Sequence, residues 1–232
     1  MFVKVNDLWR VGYHADPLSV SLEYQGNGRF DDPFGECTVL YGSDSVDTCI
    51  MEIALPWVLH TDASYVQRTE APESAADSEL QQAELDDAER DREVAMTPPH
   101  MPADLYDKAK VYVELAESIV VLDLDDISVR RDLAQVPSIA EYMSANGLPD
   151  LDRSVLAGRH LDLTRIVSGH LIRHPFAGHQ FAGIQAQSRH SGMTLALFEG
   201  HYKLRTPMVG PIRLTPDDPD VLRIAQRIRL VP

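Results

Sequence analysis

The chain has 232 residues, with 21 Lys and Arg against 36 Asp and Glu, a formal net charge of −15. Hydrophobic residues make up 44%, which is enough to build a buried core and excludes collagen-like, disulfide-dense and wholly disordered proteins. So acidic a chain is a poor general binder of nucleic acid or anionic membranes, because their phosphate groups repel it. We expect a cytoplasmic protein with no direct nucleic-acid partner and no membrane partner.

The first elements in chain order are a strand over residues 39–41 and a helix whose apolar residues recur at helical spacing from Val46 to Ile53. Further along the chain, residues 70–93 hold ten acidic residues against two basic ones, with Leu80 and Leu85 as the only large aliphatics. Such a segment buries little apolar surface. The composition predicts one domain over residues 1–232, interrupted by a mobile acidic insertion at about 60–104.

The second half of the chain mixes strands and helices. Residues 111–115 and 119–124 are β-rich runs that indicate a hairpin-like pair, and residues 183–186 and 194–198 indicate a second pair. Three helices are expected: one opened by a Ser138/Glu141 capping box and closed by Gly147, one with an apolar stripe from Leu163 to Leu171 that ends at Pro175, and one over 220–229. The order lacks regular strand–helix–strand alternation, so the predicted fold class is α+β.

Common catalytic and metal-binding signatures are absent from the sequence. There is no phosphate-binding P-loop motif and no nucleophile-elbow motif. His170 and His174 have the spacing of two zinc ligands on one helix, but no suitable third ligand accompanies them. We therefore predict no metal site.

Three short polar segments are better candidates for a functional site. In the first, Arg29 lies between a glycine-rich turn and Phe30, an arrangement that presents a guanidinium group to phosphate oxygens. In the second, Tyr41 ends a strand just before the helix that carries Glu52, which lies off the apolar stripe and either borders a cleft or is solvated. In the third, Ser188 follows an apolar strand, where strand ends present polar groups to pockets.

Taken in order, these segments resemble the RES-domain family. Leu8-Trp9-Arg10-Val11 is similar to its opening strand, and Gly28-Arg29-Phe30 to its arginine motif. The family's Leu-Tyr…Glu block corresponds to 39–41 followed by Glu52, and its serine strand to 183–189 with the strand through 197–198. The resemblance covers most of the chain except roughly residues 60–104.

The resemblance implies an ADP-ribosyltransferase-like fold, two packed β-sheets with helices around an NAD cleft. It implies the toxin of a toxin–antitoxin pair, which uses NAD as its substrate, needs no metal, breaks the nicotinamide–ribose bond and passes ADP-ribose to phosphate or water. The alternatives are a protein ADP-ribosyltransferase and a catalytically silent module that binds nucleotide or a protein partner. The expected partner is an antitoxin of the helix-turn-helix type that occludes the cleft.

The residue types suit this chemistry. Departure of nicotinamide leaves a positively charged ribose, which we expect Glu52 to stabilise. We expect Arg29 to hold the diphosphate, and Arg10 to add a second cation or to be an ordinary strand-end arginine. Tyr41 is expected to stack on nicotinamide or to bond the ribose, and Ser188 to bind a ribose hydroxyl or the acceptor phosphate. Catalytic roles are thus assigned to Arg29, Glu52 and Ser188, and NAD binding to Arg10, Arg29, Tyr41 and Ser188.

Overall fold

The structure, a computed structural model, describes residues 2–20, 28–55, 100–157, 160–188, 192–228 and 230–231. The strands within these ranges are β1 (Phe2–Tyr13), β2 (Val39–Ser43), β3 (Lys108–Asp123), β4 (Gly183–Gln187), β5 (Met193–Phe198) and β6 (Val209–Arg213). The helices are α1 (residues 46–55), a 3-10 turn (Ala103–Asp107), α2 (Ile127–Leu133), α3 (Pro137–Ala145), α4 (Arg153–Ala157), α5 (Leu161–Arg173) and α6 (Pro219–Ile228).

The strands form two three-stranded halves, β1–β3–β6 and β2–β5–β4. Each half is antiparallel throughout, and the long β1–β3 pairing runs from Phe2 opposite Leu122 to Tyr13 opposite Lys108. Short pairings join the halves at both ends, a parallel one between β3 and β4 and a single residue pair between β1 and β2. The expected two packed sheets are therefore corrected to a single hydrogen-bonded six-stranded sheet, in which β1, β2, β5, β4 and β3 close a ring.

Apolar side chains fill the space between the two halves. This inner cluster takes residues from strands of both halves, among them Leu8, Leu40, Val113, Val121 and Leu197, all fully buried. Alternate residues of a strand point to opposite faces, so the other face of each half is left to be covered. Helices cover both outer faces, which gives the mixed α+β architecture predicted from the sequence.

Two outer clusters attach the helices. Around β2, β4 and β5, residues of α2, α3 and α5 pack with Phe30, Phe181 and Phe198. On the other side, α1 and α6 pack together through Ile50, Val221 and Ile224. The second of these clusters holds α1 against the end of the ring where β1 and β2 meet, and so places the helix that carries Glu52.

The structure confirms the predicted strand over 39–41, the β4–β5 pair and the predicted helices, with two local corrections. The expected hairpin over 111–124 is wrong, because β3 runs as one strand across the exposed residues 116–118. No glycine or proline is present there to make a tight turn, and β1 pairs with β3 on both sides of the break. The expected capping box is also absent, since Val136 is the N-cap of α3 and makes no side-chain cap bond.

Most of the predicted acidic insertion lies outside the described residues. Its expected end at about 104 overlaps structured chain, because Met101 is buried against α1 and α6 and its backbone N–H donates to the Val231 carbonyl at 2.7 Å. None of the described helices is long and apolar enough to cross a membrane.

Candidate functional site

A cleft of about 410 Å³ opens beside the point where β1 and β2 meet. Its walls include Arg10 of β1, Arg29 of the 28–31 turn, Tyr41 of β2 and Glu52 of α1. A neighbouring cleft of about 500 Å³ shares Arg10, Tyr41 and Glu52 with it, so the two form one elongated depression. Volumes of this size are typical of sites for small organic ligands, about 300–1,000 Å³.

Glu52 borders this cleft. Of the two positions expected from the sequence, beside a cleft or in solvent, the structure shows the first. Its carboxylate accepts a hydrogen bond from the Ser188 hydroxyl and a longer one, 3.5 Å, from the Thr194 hydroxyl. Ser188 lies directly after β4 and is buried, and its backbone N–H donates to the Gly192 carbonyl at 3.0 Å. The structure thus brings Ser188 into contact with Glu52, two residues that the sequence placed in separate polar segments. Ser188 itself lines a smaller adjoining pocket together with Arg29.

The close approach of α1 to the β4–β5 connection depends on glycine. Gly192 has a positive φ of 70°, and a Cβ at this position would lie 2.2 Å from the Thr48 hydroxyl oxygen. A side chain here would collide with Thr48 of α1 and would be strained by the positive φ. The sequence did not indicate a role in the site for Gly192 or Thr194. The one available signal was the position of Gly192 directly before a strand.

Arg29 reaches the cleft from a turn whose next residue is anchored in the core. Phe30 is 1% exposed, and the Arg29 guanidinium lies 4.6 Å from the centre of the Phe30 ring. The guanidinium also donates to the Gln187 carbonyl at 3.2 Å, which ties it to the residue before Ser188. Gly26 and Asn27 of the same motif, and Arg189, lie outside the described residues.

Arg10 is fixed by main-chain oxygens and is not an ordinary strand-end arginine. Its Nε donates to the Pro17 carbonyl at 2.6 Å, and its two terminal nitrogens donate to the Tyr41 and Ser19 carbonyls at 2.7 and 3.0 Å. Burial lowers its pKa from the ordinary arginine value, but a guanidinium group keeps its proton throughout the physiological range. Arg10 therefore brings a positive charge into the cleft wall.

Tyr41 lines the cleft with its ring, whereas its hydroxyl group is engaged elsewhere. The hydroxyl donates to Asp31 Oδ1 at 2.8 Å and accepts from the Phe30 N–H at 2.8 Å. Burial and the nearby Asp31 carboxylate hold the pKa of Tyr41 well above its usual value, so the phenol stays protonated. Asp31 is a site residue that the sequence analysis did not assign, and its only signal was its position directly after the Arg29 motif.

Cys49, which also lines the first cleft, is a buried thiol. Burial raises its pKa to about 12, and its Sγ donates to the Trp9 carbonyl at 3.3 Å. A protonated thiol is a poor nucleophile and a poor metal ligand. Among the described residues, no three His, Cys, Asp or Glu side chains are placed to hold a metal ion.

The site is therefore a half-buried carboxylate held by a hydroxyl group and facing two fixed arginines across a small-molecule cleft. Such an arrangement binds an anionic ligand and stabilises a developing positive charge beside it. The RES domain family model matches residues 7–119, which confirms the resemblance drawn from the sequence motifs. Arg10, Arg29, Tyr41 and Glu52 lie in the matched segment, whereas Ser188 lies beyond it and is joined to the site by its bond to Glu52.

Among solved structures, the fold is similar to a chain of the crystal structure of the M. tuberculosis MbcT–MbcA toxin–antitoxin complex. The TM-score is 0.50 at 15% sequence identity, and the match covers 97% of this chain and 88% of that chain. At this identity the likeness concerns the fold. A comparison with curated protein sequences found no match.

Proposed function

We propose that this chain is an NAD-consuming toxin of a toxin–antitoxin pair, acting in the cytoplasm. It breaks the bond between nicotinamide and ribose and passes ADP-ribose to phosphate or water. The observation that carries the proposal is the cleft in which the Glu52 carboxylate, held by Ser188, faces Arg10 and Arg29. The RES-domain match and the likeness to a toxin–antitoxin structure support it, and the proposed fold type is ADP-ribosyltransferase-like.

The chemistry follows from the charges of the substrate. Nicotinamide in NAD is cationic and leaves with the bonding electron pair, so positive charge develops on the ribose C1′ and its ring oxygen. The Glu52 carboxylate stabilises that charge without forming a bond, as carboxylates do in glycoside hydrolysis. An oxygen of phosphate or water then bonds to C1′; with water, a proton is lost to solvent. No metal takes part in the proposed reaction.

The arginines and the serine orient the substrate. NAD carries two negative charges on its diphosphate, and the fixed guanidinium groups of Arg29 and Arg10 offer matching donors. Ser188 holds one Glu52 oxygen through its hydroxyl and borders the adjoining pocket beside Arg29. We expect it to bind a ribose hydroxyl or the acceptor there. We assign it no nucleophilic role, because its hydroxyl donates its proton to the Glu52 carboxylate.

Nicotinamide release from NAD by the purified protein tests this proposal. Glu52→Gln keeps the shape and removes the charge, and we expect it to lower the rate at least about 100-fold, the usual scale for losing transition-state charge stabilisation. Glu199→Gln is the matched control, because Glu199 also accepts a bond from a hydroxyl, that of Thr38, but is exposed and lies outside the cleft. A wild-type protein that leaves NAD intact with and without phosphate contradicts the proposal.

Mass spectrometry of the product identifies the acceptor. If phosphate is the acceptor, the product is ADP-ribose with a phosphate on C1′, and NAD loss accelerates with phosphate concentration. If water is the acceptor, free ADP-ribose forms at any phosphate concentration. ADP-ribose found only on a protein contradicts both and identifies a protein ADP-ribosyltransferase.

An enzyme of this kind needs an inhibitor in its own cell, and the proposed partner is an antitoxin of the helix-turn-helix type that occludes the cleft. The cleft arginines favour an inhibitor that inserts an acidic side chain or a chain terminus in place of the NAD phosphates. We expect Arg29→Ala to weaken antitoxin binding about tenfold or more, measured by calorimetry. Arg205→Ala, which removes an exposed arginine paired with Glu114, is the control; equal effects of the two changes contradict cleft occlusion.

A further inference from the structure

We propose that Asp31 and the Tyr41 hydroxyl form a positioning device for Arg29, fixing the turn that presents its guanidinium group to the cleft. The assignment rests on the proposed function, because it concerns how the chain holds the NAD diphosphate. Neither residue needs to touch the diphosphate for this role. This positioning role differs from the role expected from the sequence, in which the Tyr41 hydroxyl bonds the ribose.

Hydrogen bonds from this pair fix the backbone on both sides of Arg29. Before it, the Gly28 N–H donates to Asp31 Oδ2 at 2.6 Å. After it, the Phe30 N–H donates to the Tyr41 hydroxyl at 2.8 Å. The two anchors are joined, because the same hydroxyl donates to Asp31 Oδ1 at 2.8 Å. The N–H groups of the residues before and after Arg29 are thus held by one continuous set of bonds, which Tyr41 connects to β2.

Both oxygens of the Asp31 carboxylate take part in these bonds. Asp31 is 7% exposed, and the partners named above are neutral donors, a phenol and a peptide N–H. Hydrogen bonds to an ionised carboxylate are about twice as strong as those between neutral groups. A buried acceptor of this kind also becomes costly when one of its donors is lost. The turn therefore depends on both donors being in place.

The space inside the turn is equally restrictive. A Cβ on Gly28 would lie 2.4 Å from Asp31 Oδ1 and 2.4 Å from the Tyr41 hydroxyl oxygen, so the pair fits only against glycine. Arg165 of α5 supports the turn from the other side, because its Nε donates to the Gly28 carbonyl at 3.3 Å. The glycine of the arginine motif thus makes room for the Asp31–Tyr41 pair.

This arrangement also connects the two cleft arginines. The Tyr41 side chain holds the turn of Arg29, while the Tyr41 carbonyl accepts from Arg10 at 2.7 Å. One residue of β2 therefore contributes an anchor to both cations. Because two phosphate groups must be met at a fixed separation, this shared anchor determines how well the cleft fits a diphosphate.

The test is a double-mutant cycle between Asp31→Asn and Arg29→Ala, with NAD affinity measured by calorimetry. All proteins carry Glu52→Gln, so that NAD is bound and not consumed. With Arg29 present, we expect Asp31→Asn to weaken NAD binding about tenfold, because the amide donates where the carboxylate accepts from Gly28 or Tyr41. With Arg29→Ala, the same change is expected to alter affinity less than about twofold, since there is no guanidinium left to position.

Two further variants separate positioning from general stability. Tyr41→Phe keeps the ring and removes the hydroxyl, and with Glu52 intact we expect it to raise the KM for NAD more than it lowers kcat. Asp32→Asn is the matched control one position along, because the Asp32 carboxylate contacts Arg173 and the N–H groups of Glu36 and Cys37. We expect its effect on affinity to be the same with and without Arg29.

The outcomes are distinguishable from failure of the proposed function. Coupling between Asp31 and Arg29, without coupling between Asp32 and Arg29, supports the assignment. Additive effects of Asp31→Asn and Arg29→Ala in folded protein that binds NAD overturn it and leave the proposed function standing. A fall in kcat at constant KM for Tyr41→Phe also overturns the positioning role, because it would mean that the hydroxyl acts in the reaction. The proposed function would still stand. A wild-type protein that neither binds nor cleaves NAD contradicts the proposed function and this assignment with it.

Discussion

Asp32 shows how much a single side chain supports the loop next to the site. Its carboxylate is buried, pairs with Arg173 at 2.9 Å, and accepts from the backbone N–H groups of Phe34, Glu36 and Cys37. Burial alone would raise the pKa of Asp32, but the bonds from Arg173 and the backbone outweigh it and lower the pKa overall. This residue ties the loop that follows Arg29 to α5.

We expect Asp32→Asn to lower the free energy of unfolding at neutral pH by about 1–3 kcal/mol, the scale of hydrogen bonds to a charged group. Because the folded-state pKa of Asp32 lies below its unfolded value, the carboxylate stabilises the fold above the ordinary carboxyl pKa of about 4. That contribution is lost as the pH falls through the lower, folded-state pKa. Urea unfolding of both proteins from pH 7 down to pH 3 measures the difference, which should shrink in acid; a constant or growing difference contradicts this account.

At the same scale, Arg29, Glu52 and Tyr41 could be proposed from the sequence because each stands in a short motif with a chemical meaning. Asp31 could not, since an aspartate after a glycine-rich turn is usually a turn residue. Its role depends on Tyr41, ten residues away in the sequence, and on a glycine that leaves room for both. The Ser188–Glu52 bond joins residues 136 positions apart, which no local pattern indicates.

At the scale of elements, β3 connects the two sides of the molecule. It pairs with β1, β4 and β6, and Lys110 on it reaches the N-terminal end of α6, where it pairs with Asp218 at 2.8 Å and with Asp220. Burial alone would lower the pKa of Lys110, but the two carboxylates outweigh it and raise the pKa. This triad, of which Lys110 and Asp218 are buried, ties α6 to the sheet.

We expect Lys110→Ala to destabilise the protein by about 3–5 kcal/mol, because it leaves the buried Asp218 carboxylate without its cation, whereas Asp220 keeps its pair with Arg223 at 2.6 Å. Lys110→Met with Asp218→Asn and Asp220→Asn should recover much of that loss, since no unpaired charge is left behind. Denaturant unfolding monitored by circular dichroism measures both. A loss below about 1 kcal/mol for Lys110→Ala would show that the triad is solvated like a surface pair.

Element types were predictable from the sequence where periodicity is strong, as in α1, α5 and the β4–β5 pair. The continuity of β3 was not, because residues 116–118 look like a break when read alone. Their conformation is set by the long partner strand β1 and by a backbone bond from Ala116 to the Lys203 carbonyl at 2.8 Å. Pairing with a distant strand overrides the local pattern here.

At the scale of the whole molecule, the charge distribution needs explaining. The chain carries a net charge of −15 and yet presents two arginines in its cleft. Both donate to main-chain carbonyls, Arg10 to those of Pro17 and Tyr41 and Arg29 to that of Gln187. These two guanidinium groups place positive charge in the cleft wall of an acidic chain, as the proposed binding of an anionic nucleotide requires.

The measurement that tests the central claim most directly is the NAD content of cells that express the chain without an antitoxin. We predict a steep fall in NAD followed by growth arrest for wild type and for Glu199→Gln, and undisturbed NAD and growth for Glu52→Gln expressed at the same level. Growth arrest with NAD unchanged, or an equal loss of NAD with Glu52→Gln, would contradict it.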